Sequence, residues 1–316
     1  MGESMRSIWT AARLAFGTLL LAVNTIVHVP LLMVAALMKA LMPWRRARSF
    51  WNAVLMAIAA SWISCNTALI ETFTRLRITT SIDASLDSQG HYLVLANHQS
   101  WVDIPVLQAI FNRRIPLLRF FLKSQLFWVP LLGLAWWALD FPFMKRYSRE
   151  QLERRPELAG RDIEATRRAC AKFRDLPVSI MNFVEGTRFT TEKHAKQASP
   201  FARLLKPKAG GIAFVLDAMG GALHSILDIT IVYPNGRPSM ADLFADRIGE
   251  VRVQVQQYPI PAQLRSGDYQ NDPAFRERVQ AWINSLWSAK DRTIAELLGY
   301  VCDQSATSPC ADGRTP

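Results

Sequence analysis

"HYLVLANHQSWVDIPVLQAIF" occupies residues 91–111. His91 to Asn97 is a run of apolar and β-prone residues and reads as a strand. Asp103 to Phe111 reads as a short helix. Between them His98, Gln99, Ser100 and Trp101 form a brief, mostly polar loop. A strand handing over to a helix is the unit of an α/β sheet, and the loops at strand ends are where such sheets carry their sites.

The same texture continues outward. "RLRIT" (75–79) predicts a strand, followed by the turn-rich "SIDASLDSQG" (81–90). "VSIMNF" (178–183) predicts a buried strand, and "ILDITIVYP" (226–234) and "EVRVQVQQYP" (250–259) two more. "GGIAFVLDAM" (210–219) is a helix opened by glycines, and residues 275–298 form a late helix. Residues 149–174 carry dense mixed charge at helical spacing, the mark of a solvated helix. The segment 117–144 is strongly apolar and is broken by Pro130 and Gly133. The alternation predicts an α/β domain, a mixed sheet flanked by helices, over residues 73–300, with a disordered tail at 301–316.

Residues 1–72 differ. From Leu14 to Met42 only His28 and Lys39 could carry charge, and this run exceeds the ~20 residues that cross a bilayer. A basic hinge, "PWRRARSF" (43–50), leads to a second apolar run at 51–70. If both runs spanned, Arg45, Arg46 and Arg48 would lie across the bilayer from the domain that follows, which the positive-inside tendency opposes for a cytoplasmic domain. The expectation is therefore a membrane-embedded helical hairpin dipping into one leaflet, with Pro30 kinking its first helix. One spanning helix followed by one in-plane helix is the alternative.

Half of the 316 residues are apolar, the net charge is +11 and the pI about 9.9, with a mean hydropathy of +0.07. Such a surface seeks anions, and the apolar content beside the charge favours a lipid bilayer over nucleic acid as partner. Cys65, Cys170, Cys302 and Cys310 show neither a CxxC pair nor zinc-ligand spacing, so no metal is expected and a reducing compartment is.

The loop after the first strand carries chemistry. Across a strand–loop–helix joint Asp103 can fold back to His98. A carboxylate bonded to one ring nitrogen fixes the tautomer and leaves the other nitrogen to take a proton, making a general base for a hydroxyl. A helix-capping His followed by a first-turn Asp would produce the same residues. "NFVEGTRF" (182–189) runs from a buried strand into Glu185, Gly186, Thr187 and Arg188: a tight turn, a hydroxyl and a planar cation suited to phosphate. "FMKR" (143–146) brings Lys145 and Arg146 to a strand end, and "LLKPKAGG" (204–211) sets Lys206 and Lys208 before a helix, an anion cradle. Each of these taken alone reads first as a solvated surface charge; their order and spacing are what point to a site.

Taken in order, His98-x4-Asp103, Phe143–Arg146, Phe183–Arg188 and a strand ending at Pro234 resemble the blocks of the glycerolipid acyltransferases, the 1-acylglycerol-3-phosphate (lysophosphatidate) acyltransferases. The resemblance covers residues 75–235. Val184 stands where the family usually has proline, and Phe189 where it often has serine. "NFVEGTRF" followed by "LLKPKAGG" is similar to a branch with lysocardiolipin and lysophosphatidylinositol acyltransferases and their bacterial relatives, which bears on the acceptor headgroup more than on the reaction.

The resemblance implies transfer of an acyl chain from a thioester, acyl-CoA or acyl carrier protein, to the 2-hydroxyl of a lysophospholipid, with no other cofactor. His98 is then the base and Asp103 its partner. Arg146, Glu185, Gly186, Thr187 and Arg188 contact the acceptor phosphate, with Lys208 beside them. Glu185 orients Arg188 or a backbone amide, and Lys123, where the family often carries a lysine, is a candidate oxyanion donor. Phe120–Phe143, with Trp128, Trp136 and Trp137, is the expected acyl-chain lining, though core or membrane-facing surface would read the same. An inner-membrane location with the site on the cytoplasmic side completes the expectation. A lipid-binding protein with no activity and a phosphohydrolase using His98 are the rival readings. The first predicts a missing His or Asp, and the second more ligand-like spacing than His91, His194 and His224 show.

Overall fold

The computed structural model describes residues 3–144, 154, 173, 176–219, 221–223, 225–265, 267, 269 and 272–299. The helix expected over 149–174 lies outside these residues except for Arg154 and Phe173, as do Lys145, Arg146 and the expected disordered tail.

The chain opens with two long helices, α1 (Glu3–Leu41) and α2 (Arg45–Phe73), packed against each other. Both are long and apolar enough to cross a bilayer by length and composition. They form a membrane-associating hairpin whose outer stripe, including Phe16, Leu19, Val23, Val27, Leu31 and Val34, is exposed. The helix runs unbroken through Pro30. Polar groups inside the hairpin find partners across it. The Asn24 amide donates to Asn66 Oδ1 (2.7 Å) and to the Trp62 carbonyl (3.0 Å), and His28 Nε2 meets Ser61 Oγ at 3.2 Å. Unsatisfied, such groups would be costly in an apolar medium.

A six-stranded mixed sheet follows. Its strands are β1 (Arg77–Asp83), β2 (His91–Ala96), β3 (Leu118–Phe120), β6 (Val178–Phe183), β7 (Ser225–Val232) and β8 (Glu250–Pro259), in the order β1-β8-β7-β2-β6-β3. All neighbours are parallel except β7 and β8. Two short strands, β4 (Leu122–Lys123) and β5 (Phe143–Met144), pair separately. The central β2 and β7 are covered on both faces; β2 carries a continuous apolar run, as buried parallel strands do, whereas β7, buried throughout, sets Asp228 and Thr230 among its apolar residues. β8 buries Val251, Val253 and Val255 and leaves the alternate residues partly exposed. β1 extends to Asp83, so part of the segment expected to turn is strand, because Ser81–Asp83 find register against Gln254–Gln256.

α3 (Asp103–Phe111) covers one face. The other face holds α6 (Ala209–Met219) and α8 (Pro273–Leu298), which buries Phe275, Val279, Ile283, Trp287 and Ile294. Each such side chain contributes roughly 1.5–3 kcal/mol by leaving water. Asp272 caps α8 by accepting from the Phe275 amide (3.1 Å), and Gly299, at φ 82°, ends it. α4 (Leu132–Ala138), α5 (Thr191–Gln197) and α7 (Met240–Phe244) are short and lie between strands. β7, β2 and β6 are parallel neighbours, so the loops after Val232, Ala96 and Phe183 emerge at one end of the sheet.

Candidate active site

At that end the loop after β2 turns sharply enough for Asp103, the first residue of α3, to reach back over it. Asp103 Oδ2 accepts from His98 Nδ1 at 2.8 Å and from the amides of Gln99 (2.7 Å) and Ser100 (3.0 Å). Its Oδ1 accepts from the Tyr233 hydroxyl at 2.8 Å. The acid is fully buried, and burial, then Asp103 itself, raises the Tyr233 phenol well above its ordinary value. With Nδ1 committed, Nε2 is the nitrogen left to take a proton, and among the described residues it has no hydrogen-bond partner. The imidazole lies flat on the Phe183 ring, centroids 3.8 Å apart.

The neighbouring loops are stitched to this one. Asn97 exchanges two hydrogen bonds with Ile231 on β7, each 2.9 Å. The Phe189 amide donates to the His98 carbonyl at 2.8 Å. Glu185 is wholly buried, and its oxygens accept from the amides of His98 and Leu205, each at 3.1 Å. Of the two roles expected for Glu185, orienting Arg188 or an amide, the geometry is that of the amide. Burial pushes its carboxyl up to about 7, against the two amides and Lys290, which favour the charged form.

Gly186 turns the chain at φ 68°, a conformation that favours glycine. A side chain added there would meet the Lys208 alkyl chain and ammonium at 3.3–3.4 Å, so Lys208 lies against this turn. Lys206 instead lines a cleft of about 680 Å³ between Pro200–Pro207 and α8, and the two lysines do not form one cradle. Thr187 Oγ1 accepts from Lys193 Nζ at 2.8 Å. Arg188 is exposed, its guanidinium 4.7 Å over the Trp101 ring. The structure therefore gathers His98, Asp103, Glu185, Gly186, Thr187, Arg188 and Lys208. Lys123 is exposed on β4 and makes no contact with His98 or Asp103 among the described residues. Its register partner is Met144, the last described residue before Lys145 and Arg146.

A sequence model of the acyltransferase family matches residues 77–234, half of the chain, and takes in both the His98–Asp103 loop and the Glu185–Arg188 turn. The chain belongs to the acyltransferase family. It is 25% identical to lysocardiolipin acyltransferase 1 of Mus musculus over 83% of this chain and 70% of that one. It is 26% identical to 1-acyl-sn-glycerol-3-phosphate acyltransferase gamma of Mus musculus over 78% of this chain and 61% of that one. In fold it is similar to the crystal structure of the 1-acyl-sn-glycerophosphate (LPA) acyltransferase PlsC from Thermotoga maritima. That match has a TM-score of 0.55 and 16% identity, over 94% of this chain and all of the other.

Several residues that shape the acyltransferase site are not evident from motif spacing. Tyr233 lies 130 residues from Asp103 and could be found only once β7 was known to neighbour β2. Arg237 donates to Gln99 Oε1 at 3.0 Å and lays its guanidinium 3.8 Å over Phe189, clipping the loop after β7 to the other two. Aromatic rings also run away from the site. Phe183, under His98, stacks on Phe120 (5.9 Å), and Phe120 on Phe141 (6.5 Å), which packs with α1, α2 and α4. Trp136 packs partly into that cluster, whereas Trp128 and Trp137 are 82% and 57% exposed. Those two tryptophans therefore do not line an enclosed acyl path as expected. Among the described residues no group of three or more His, Cys, Asp or Glu is placed to hold a metal.

Proposed function

We propose that this acyltransferase moves an acyl chain from a thioester, acyl-CoA or acyl carrier protein, to the free 2-hydroxyl of a lysophospholipid. The observation that carries the reading is the His98–Asp103 contact at 2.8 Å, with the acid held by Tyr233 and two amides and Nε2 left open. His98 takes the hydroxyl proton as the oxygen attacks the thioester carbonyl. The tetrahedral adduct collapses, the C–S bond breaks, and the proton passes to the leaving sulfur, giving ester and free thiol. General-base help of this kind is worth ~10²–10⁴ in rate. Arg188, Thr187 and Lys208, with Arg146, hold the acceptor phosphate. Lys123 and backbone N–H groups of the loops are the candidate oxyanion donors. The acyl chain follows the Phe183–Phe120–Phe141 row toward the hairpin.

The hairpin lies in one leaflet of the inner membrane, with the site on the cytoplasmic side. Arg13 pairs with Asp246 (3.6 Å) and Lys39 with Asp140 (3.1 Å), so both ends of α1 are tied to the catalytic domain. Those ties lie about 40 Å apart along the helix at 1.5 Å per residue. A helix crossing the ~30 Å core would carry one end away from a domain on one side, so the ties support the in-plane reading.

The test is product formation from a lysophospholipid and a labelled acyl thioester in membranes. His98→Ala is expected to lower kcat by roughly a thousandfold, and Asp103→Asn to lower it with little change in KM. Equal product from the native chain and His98→Ala would overturn the role of the base, and release of free phosphate without ester would favour hydrolysis.

A further inference from the structure

Residues 124–138 form a wedge that is built inside out for a water-facing element. Its helix α4 buries Gly133, Ala135 and Ala138, and Ala135 joins a cluster that includes Val29, Leu32 and Ala35 of α1 and Leu55 and Ala59 of α2. Four of the large apolar residues of the wedge point the other way: Trp128 is 82% exposed, Trp137 57%, Leu134 44% and Leu131 37%, while Trp136 packs partly inward. A helix in water ordinarily buries its large apolar residues and exposes polar ones. The backbone is shaped to hold this arrangement. Leu131 adopts φ 62°, and a Cβ on Gly133 would lie 1.9 Å from the Phe127 carbonyl oxygen, so the turn carrying Trp128 closes only on glycine.

We infer that this wedge is a second membrane-contacting element whose partner is the bilayer interface, and this rests on the reading of the hairpin as membrane-embedded. The argument is continuity. α4 packs directly on α1, and the Lys39–Asp140 pair fixes it there, along the same stretch of helix that exposes Leu31, Val34 and Leu37. Trp side chains favour the boundary between headgroups and acyl chains. The wedge joins β4 to β5, the strand that leads into Lys145 and Arg146, so its seating sets how closely that edge approaches the surface from which a lysophospholipid would arrive.

The full chain in phosphatidylethanolamine–phosphatidylglycerol vesicles is exposed to hydroxyl radicals, and side-chain oxidation is read by mass spectrometry. Trp9 on α1 reports the hairpin and Tyr258 on β8, 37% exposed, the water-facing domain. Trp128 and Trp137 are expected to be protected with Trp9, oxidising more slowly than Tyr258 despite greater exposure in the structure. Trp128 oxidising as fast as Tyr258 while Trp9 stays protected overturns the wedge and leaves the hairpin standing. Oxidation of all three, with loss of vesicle flotation, overturns both. Protection that grows with the protein-to-lipid ratio assigns the face to a second copy instead. In parallel, the double variant Trp128→Glu, Trp137→Glu should raise KM for a bilayer-presented long-chain acceptor by at least about tenfold. Its kcat/KM for a short-chain, monomeric acceptor should be unchanged. Equal loss on both acceptors would mark a structural role and overturn the proposal.

Discussion

Glu185 holds two loops together with a carboxylate that has no direct cationic partner among the described residues, only two amides. Its carboxyl sits at about 7 in the folded chain against an ordinary 4.5, because burial disfavours the charge. The folded state therefore binds that proton more tightly than the unfolded one, and its contribution to stability falls as pH rises between those values, by about 3 kcal/mol. Glu185→Gln should flatten this part of the pH profile of thermal unfolding; an unchanged slope between pH 4.5 and 7 would remove the burial argument. The sequence makes the His98–Asp103 pair and the Glu185–Arg188 turn readable because each lies within one loop. Tyr233, Arg237 and the target of Glu185 are not readable, since their contacts depend on which strands become neighbours.

At the scale of elements, α8 carries a buried charge that its helical pattern does not mark. Within "SAKDRT", Lys290 is 1% exposed. Its ammonium pairs with Asp228 of β7 at 2.7 Å and donates to the Ile229 carbonyl at 2.6 Å. Burial lowers Lys290 and raises Asp228, while each charge offsets part of the other's cost. Removing one partner strands the other, so Lys290→Met should destabilise the fold by about 3–5 kcal/mol, and Lys290→Met with Asp228→Leu should recover much of that. Denaturant titration in detergent decides; a double variant as weak as the single one would show that the pair itself is needed. Five of the six strands of the sheet were readable from sequence, β2 and β6 as short, largely apolar runs and β8 by its alternation, but not β3, which lies within residues 117–144. The 117–144 segment was not, since lipid, core and acyl chain all select the same side chains there.

For the whole molecule, the proposal of an in-plane hairpin makes a claim about sidedness. Ser49 on α2 and Ser81 on β1, each replaced by cysteine, should react together with an impermeant maleimide in sealed vesicles or be spared together, with the parent chain as background. Labelling of one without the other would mean that the hairpin crosses. Composition and the two long apolar runs point to a membrane in sequence, but the pairs that tie α1 to the domain, Arg13–Asp246 and Lys39–Asp140, are marked by no pattern. The order of the sheet has a further consequence for biogenesis. β1 leaves the ribosome directly behind the hairpin, but its neighbour is β8, and Thr79 and Glu250 meet across 171 residues. At ordinary elongation speeds that separates their synthesis by roughly 10–30 s. The edge strand therefore waits, tethered behind the hairpin, until translation delivers the partner that closes the sheet.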